Sequence, residues 1–271
     1  VGNWFHKTYV SADNGDSDFK PVNLAWDVHP DRDEAWFKKE TKNMSRRQIA
    51  QELECNFNTS GDTVIHPNDI AWLQEQIVEP TYRTGYDRNF WIWEKHEEGN
   101  SYLLVADVAR GDGADNSVFH VLNVNTMEIV AEYQGKPSLD MYSQILYSAG
   151  MEYGKCLLVV ENNGIGISVF EKLVTLGYEN LYYSIKGSHE FVDAASGQFM
   201  TNAVGGFTTS TKTRPLIVAK LEEFVRNKVI KIRSSRAFDE FRTFVWNNGK
   251  PQAMRSYHDD IIMCLAITCW V

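Results

Sequence analysis

Apolar residues in this chain come in short blocks that stop or start at acids. Tyr102-Leu103-Leu104-Val105-Ala106 runs into Asp107, Leu157-Leu158-Val159-Val160 runs into Glu161, and Asp259-Asp260 opens the stretch Ile261-Ile262-Met263-Cys264-Leu265-Ala266-Ile267. Four or five consecutive apolar residues bounded by Gly, Asn and Asp fit buried strands, and an Asp ahead of a longer apolar run fits a helix N-cap. Two strand ends and one helix start therefore each carry a carboxylate. In an open α/β sheet such ends line the ligand crevice.

The same patterning predicts the remaining elements. Residues 67–78 read as a helix and 89–94 as an alternating strand whose aromatic residues can cover a sheet edge. Strands follow near 101–107, 117–122 and 128–134, then a helix near 140–153, a strand at 156–161 and a helix near 165–176. A strand near 181–185 is expected at the far edge, and helices at 214–227 and 237–244 surround a short strand at 229–232. Three strands joined by short turns, then alternating helix and strand, suit an α/β fold: a mixed sheet flanked by helices. The Gly-, Ser- and Ala-containing segment 187–207 reads as an exposed, mobile loop. Ahead of the sheet lies a short helical N-terminal segment with amphipathic candidates at 31–39 and 45–55, the second opened by Ser45.

Gathered acids suit phosphodiester hydrolysis. That reaction needs a deprotonated water and neutralised charge on the attacking and leaving oxygens, which two divalent cations about 4 Å apart provide. Hard cations such as Mg2+ prefer carboxylate oxygens and keep several waters, so three or four acids suffice. An acid at a strand end is commonly only a turn former or cap, so the order strand-Asp, strand-Glu, helix-Asp is what carries the metal reading. Asp115, in Arg110-Gly111-Asp112-Gly113-Ala114-Asp115-Asn116, belongs to a hairpin turn, because the Glu that would complete a calcium loop is missing; it is expected beside the metals without binding them. His258 is expected to orient a ligand or aid proton transfer. In Gly164-Ile165-Gly166 the glycines let a helix approach the sheet closely.

The motifs Leu104-Val105-Ala106-Asp107-Val108-Ala109-Arg110-Gly111, Val159-Val160-Glu161-Asn162-Asn163-Gly164 and Tyr257-His258-Asp259-Asp260 resemble the nuclease domain of the large terminase subunit of tailed bacteriophages, especially the T4-like group. Gly206-Phe207-Thr208-Thr209 and Lys212-Thr213-Arg214 ahead of an amphipathic helix resemble it too, so the similarity covers roughly residues 60–271. The resemblance implies a ribonuclease H-like fold and a metal-dependent endonuclease that cuts concatemeric double-stranded viral DNA in the cytoplasm of an infected bacterium. It also implies Asp107, Glu161 and one or both of Asp259 and Asp260 as catalytic metal ligands. Asp107 would bridge two Mg2+ or Mn2+ ions, Glu161 hold one, and Asp260, the favoured member of its pair, hold the other; Asp259 would cap the helix or touch the second ion. Residues 1–60 resemble the end of the ATPase domain that precedes such nucleases, with a linker near 58–62 and the nuclease in 61–271. No Gly-x-x-x-x-Gly-Lys-Ser/Thr loop is present, so ATP hydrolysis is not expected of this chain. A portal protein, a small terminase subunit and the ATPase domain of the same polypeptide are implied as partners. A transposase, integrase or resolvase of the same fold, or a noncatalytic docking module, are the competing readings, since fold does not fix function.

Charge modifies this picture. The formal net charge of −9 over 271 residues argues against a nucleic-acid partner, because nonspecific affinity comes from Lys and Arg displacing counterions. Between 201 and 255, however, eleven basic residues face only Glu222, Glu223, Asp239 and Glu240. Lys212, Arg214, Lys228, Lys231, Arg233 and Arg236 are the candidates for a DNA track, the alternative being ordinary solvated helix faces. The cysteines Cys55, Cys156, Cys264 and Cys269 lack metal-binding spacing and read as reduced, mostly buried thiols. No apolar run is long enough to span a bilayer and no signal-like start is seen, so secretion and membrane insertion are not expected.

Overall fold

The run Tyr102–Asp107 is buried on both sides, as a central strand must be when helices cover both faces of its sheet. In the computed structural model the described residues are 8, 9, 11, 12, 15–44, 49, 53, 55, 63–109, 113, 115–186, 191, 192, 194–197, 200–247 and 249–271. The central sheet has six strands: β1 (Tyr82–Thr84), β2 (Phe90–Ile92), β3 (Tyr102–Asp107), β4 (Ser117–Asn123), β5 (Glu128–Gly135) and β6 (Leu157–Val160), in the order β1-β2-β5-β4-β3-β6. Only the β3–β6 pair is parallel; the other pairs are antiparallel. Consecutive antiparallel pairing of β3 with β4 confirms the hairpin expected around Gly113 and Asp115, while Arg110 and Asp112 lie outside the described residues.

Alternation along the strands assigns the two faces. Leu103 and Val105 of β3, Val118 and Leu122 of β4, and Val159 of β6 join one core cluster with helices α2 (Pro67–Glu75), α6 (Thr213–Arg226), α7 (Ser235–Thr243) and α8 (Asp260–Trp270). Leu104, Ala106, Phe119, Leu158 and Val160 point the other way, against α3 (Leu139–Glu152) and α4 (Gly166–Thr175). Helix α8 is buried throughout Ile261 to Cys269, so its apolar residues are enclosed between sheet and helices. Each fully buried Ile or Leu there contributes about 1.5–3 kcal/mol, which fixes the helix to the sheet.

Three expectations need correction. The segment 181–185 is not the far edge strand of the central sheet: Leu181 makes one parallel bridge to Leu158, then β7 (Tyr183–Ile185) pairs with β8 (Phe191–Val192) and β9 (Ala203–Gly205) in a separate three-stranded sheet. The supposed loop 187–207 therefore holds two strands and a single helical turn, α5 (Ala194–Gly197), with 187–190, 193, 198 and 199 outside the described residues. The strand expected at 229–232 is reduced to one bridge, Lys231 to Glu128, because Ile230 and Ile232 flank it and are pulled into the core. β2 lies one strand in from the edge, which β1 occupies.

At the N-terminal side α1 (Glu34–Glu40) overlaps the expected 31–39 region, with the Asp33 side chain accepting from the Trp36 N–H at 2.7 Å. The second candidate, 45–55, lies almost wholly outside the described residues, as does the proposed linker 58–62. Residues 63–65 already belong to the core: Val64 and Ile65 are buried, and the Val64 N–H donates to Phe244 O at 3.0 Å in the hairpin of β10 (Phe244–Asn247) and β11 (Lys250–Ala253). Cys156, Cys264 and Cys269 are buried free thiols and Cys55 is a half-buried one. No described helix is long and apolar enough to cross a membrane.

Candidate metal centre

Asp107 is the last residue of β3 and follows Leu103 and Val105 onto the face covered by α8. The parallel register pairs Ala106 with Val160, so Glu161 arrives beside Asp107, on the same face as Val159. Its backbone is fixed on both sides: the Glu161 N–H donates to Ala106 O at 2.8 Å, and Glu161 forms a parallel bridge with Phe207. The Asn163 amide holds the carboxylate itself, donating to Oε1 at 3.0 Å while its other bond reaches Thr209 O. Gly166 is required here, because a Cβ at that position would lie 1.9 Å from Glu161 O. The close helix approach expected from Gly164-Ile165-Gly166 is thus observed.

Asp260 is delivered by helix geometry. Cys264, one turn further along α8, donates its thiol hydrogen to Val105 O at 3.1 Å, which fixes where the helix crosses β3. Four residues of helix rise roughly 6 Å and two residues of strand advance roughly 6.6 Å. Asp260, on the same helix face as Cys264, therefore stands level with Asp107. The Asn116 N–H donates to Asp260 Oδ2 at 2.9 Å and steadies it from the β3–β4 turn.

The electrostatics agree with this convergence. Burial, then the neighbouring Glu161 and Asp260 carboxylates, hold Asp107 well above the usual carboxylate range. Asp260 is also raised, by burial first and by Asp115 and Asp259, against the lowering effects of the Asn116 N–H and His258. Burial and the Asp107 charge raise the Cys264 thiol far up as well. Burial is the larger cause and repulsion among the acids adds to it; a divalent cation bound there would oppose both. The donor set is carboxylate oxygen with one imidazole, so the residues present fit a divalent metal.

Asp259 behaves differently from its neighbour. It occupies the N-cap position of α8, yet its side chain makes no capping bond, correcting that expectation. Its Oδ2 instead pairs with Arg214 and accepts from Ala253 N at 3.3 Å, while Arg214 Nε donates to Pro251 O at 3.1 Å. The capping work falls to Glu240, a buried residue of α7 whose carboxyl accepts the Ile262 N–H at 3.1 Å. Burial, only partly offset by that N–H and reinforced by Asp260, Glu132 and Asp259, pushes the Glu240 carboxyl up to about 9. Sequence reading treated Glu240 as one acid among a basic stretch; the usable signal was its position three residues after Ala237, on the apolar side of an amphipathic helix.

His258 and Asp115 do reach Asp260. His258 Nδ1 lies 3.5 Å from Asp115 Oδ1 and 3.9 Å from Asp260 Oδ2, and one ligand atom from each of the three residues falls within 4.8 Å of the others. The basic candidates are spread over the molecule. Lys212 is exposed at the start of α6, two residues before Arg214 at the acid end. Lys228 sits beyond the other end of α6 with its ammonium 5.8 Å from the Trp72 ring centre. Lys231 pairs with Glu128 at 3.0 Å, and Arg233 pairs with Glu128 and with Glu94. Arg236 stacks over Trp91 at 3.6 Å, near Glu132 at 3.7 Å. Of the six, Arg214 alone is seen in contact with one of the acids, Asp259, with Lys212 two residues before it in the chain, while the other four are engaged elsewhere.

No known protein-family profile matches the sequence. Solved structures do match the fold. The large terminase nuclease from thermophilic phage G20c with bound magnesium superposes with a TM-score of 0.57 at 20% identity, over 74% of this chain and 96% of that one. Its cobalt-bound form gives the same values, and the Thermus phage P74-26 large terminase nuclease domain gives 0.54 at 19% identity, over 73% and 92%. The chain therefore has the ribonuclease H-like α/β fold of large terminase nuclease domains, a mixed six-stranded sheet flanked by helices.

Proposed function

We propose that this chain is a divalent-metal-dependent DNA endonuclease, the cutting domain of a bacteriophage genome-packaging motor. The observation that carries the reading is the meeting of Asp107, Glu161 and Asp260, from three different elements, at one end of the central sheet. Its substrate would be concatemeric double-stranded DNA in the host cytoplasm, and its partners a portal protein, a small terminase subunit and the ATPase domain of the same polypeptide. Residues 1–60 would be the end of that ATPase domain. Its motifs resemble those of the T4-like group, to which it would belong, and Mg2+ or Mn2+, two ions, would be its cofactor.

In this reading Asp107, which feels the charge of both Glu161 and Asp260, is the shared ligand. Asn163 keeps Glu161 turned inward and the Asn116 N–H does the same for Asp260, so the ligands need little reorganisation. Bound cations would lower the pKa of an attacking water and neutralise charge on the departing 3′ oxygen. Arg214, paired with Asp259, and Lys212, two residues before it at the start of α6, would draw a phosphate backbone toward the acids. A supercoiled plasmid incubated with the chain should be nicked and linearised in Mg2+ or Mn2+ and stay intact in EDTA. Intact plasmid with every divalent metal, from protein shown to be folded, would remove the nuclease reading.

A further inference from the structure

We propose that Tyr142 and Ser117 are positioning residues that set how tightly the acids hold their cation, Tyr142 acting through the sheet from the face opposite them. The proposal rests on the metal reading through Asp107 and Asp260, although both hydroxyls bond only to backbone. Tyr142 belongs to α3, is fully buried, and lies in the core cluster on the far side of the sheet. Its hydroxyl shares one hydrogen between two backbone oxygens, Val118 O at 2.7 Å and Asp107 O at 3.1 Å. Those two residues face one another in the last pair of the β3–β4 ladder. A carbonyl oxygen has two lone pairs, so each can take this bond beside one from the ladder.

Beyond that pair the strands leave the ladder and a second hydroxyl takes over. Ser117, also fully buried, accepts the Ala109 N–H on Oγ at 3.1 Å and donates to Ala109 O at 3.3 Å. The junction so fixed governs two of the acids. Asp107 is the residue that Tyr142 holds, and Asn116, next to Ser117, supplies the N–H that holds Asp260. A shift of the junction would therefore move both aspartates against Glu161, whose backbone is also bridged to Phe207. Packing leaves Tyr142 little freedom: its ring centre lies 5.9 Å from that of Tyr133, which stacks on Phe119 at 5.3 Å. The opposite end of the sheet offers the same kind of bond without the acids, since Tyr153, 1% exposed, donates to Glu94 O at 2.7 Å.

Mg2+ titration by calorimetry of the full chain and of Tyr142→Phe, Ser117→Ala and Tyr153→Phe, each beside its urea unfolding curve, tests this. Tyr142→Phe keeps the ring and removes only the hydroxyl. It should weaken Mg2+ about tenfold and raise in step the Mg2+ concentration needed for half-maximal plasmid cleavage, and Ser117→Ala should weaken Mg2+ severalfold. Tyr153→Phe should lose stability as Tyr142→Phe does and bind Mg2+ with parental affinity. A merely structural hydroxyl would lower the urea midpoint and leave Mg2+ affinity unchanged. Parental Mg2+ affinity in folded Tyr142→Phe, or in Ser117→Ala should Tyr142→Phe not fold, would overturn the proposal, as would equal weakening in Tyr153→Phe. If Tyr142→Phe weakens Mg2+ while the parent cuts no plasmid in any metal, the positioning role stands and the nuclease reading falls.

Discussion

The two ends of the central sheet carry the same kind of side chain in opposite circumstances. At one end Glu128 opens β5 and meets Lys231 and Arg233, with Arg233 also holding Glu94. Five residues away along the ladder, about 17 Å, Asp107 meets Glu161 and Asp260, and both aspartates are held above the usual carboxylate range. A carboxylate with cationic partners serves the fold. Carboxylates that face one another oppose it, and such a cluster at the C-terminal ends of β3 and β6 is where function is to be sought.

The comparison breaks most sharply at the acids. Asp107→Asn, Glu161→Gln and Asp260→Asn should each reduce plasmid cleavage by roughly a thousandfold, since each removes part of the cation's several kcal/mol of transition-state stabilisation. Asp107→Asn and Asp260→Asn should also unfold at the same or higher urea concentration than the parent. Their folded pKa values are raised, so ionisation near neutral pH opposes folding, and the neutral amide removes that opposition. Asp259→Asn should be milder in cleavage, because its carboxylate is engaged by Arg214 and Ala253.

At the opposite end the signs reverse. Removing Arg233, whose side chain is 12% exposed, should cost on the order of 1 kcal/mol, because it leaves solvent-facing Glu94 without it and Glu128 with Lys231 alone. The salt dependence of DNA binding separates the two ends a second way. Neutralising Lys212 and Arg214 together should lower the log–log slope by about two, whereas neutralising Lys231 and Arg233 should leave it unchanged. Binding measured in Ca2+ across a salt series would show which pair lies on the DNA path.

Glu240 gives a subtler contrast, an acid inside the fold that keeps its proton. Its pKa rises from an ordinary 4.5 to about 9, so the folded chain binds a proton that the unfolded chain releases between those values. Its contribution is fully present below pH 4.5 and is lost as pH climbs toward 9. Glu240→Gln should flatten that decline, a difference on the order of a few kcal/mol by pH 8, seen in urea unfolding across pH. The smallest effect is expected from deleting residues 1–58, because among the described residues both large core clusters draw only on Val64 and residues after it; thermal unfolding should shift little and metal-dependent cleavage should persist.

Local pattern revealed those features that local pattern determines. Apolar runs ending in Asp107 and Glu161, and one beginning at Asp260, marked strands and helix correctly because burial dictates their composition. What escaped is long-range. Asp259 is tied to Arg214, 45 positions away, and Glu240 reaches the start of α8 from another helix, so neither partner is visible in neighbouring residues. The segment 187–207 looked like a loop because Gly, Ser and Ala have weak strand preference, and pairing with β7 overrides it in β8 and β9. The basic candidates share one stretch of sequence, 212–236, yet partners on β5 and β2 hold Lys231 and Arg236 away from the acids.

Whether these carboxylates share a divalent cation is read most directly, and without reliance on turnover, by Mg2+ titration in isothermal calorimetry of the parent chain beside Asp107→Asn. The parent should show saturable Mg2+ binding, and Asp107→Asn should weaken it by about tenfold or more. Equal binding by both proteins, or none by the folded parent, would contradict the account.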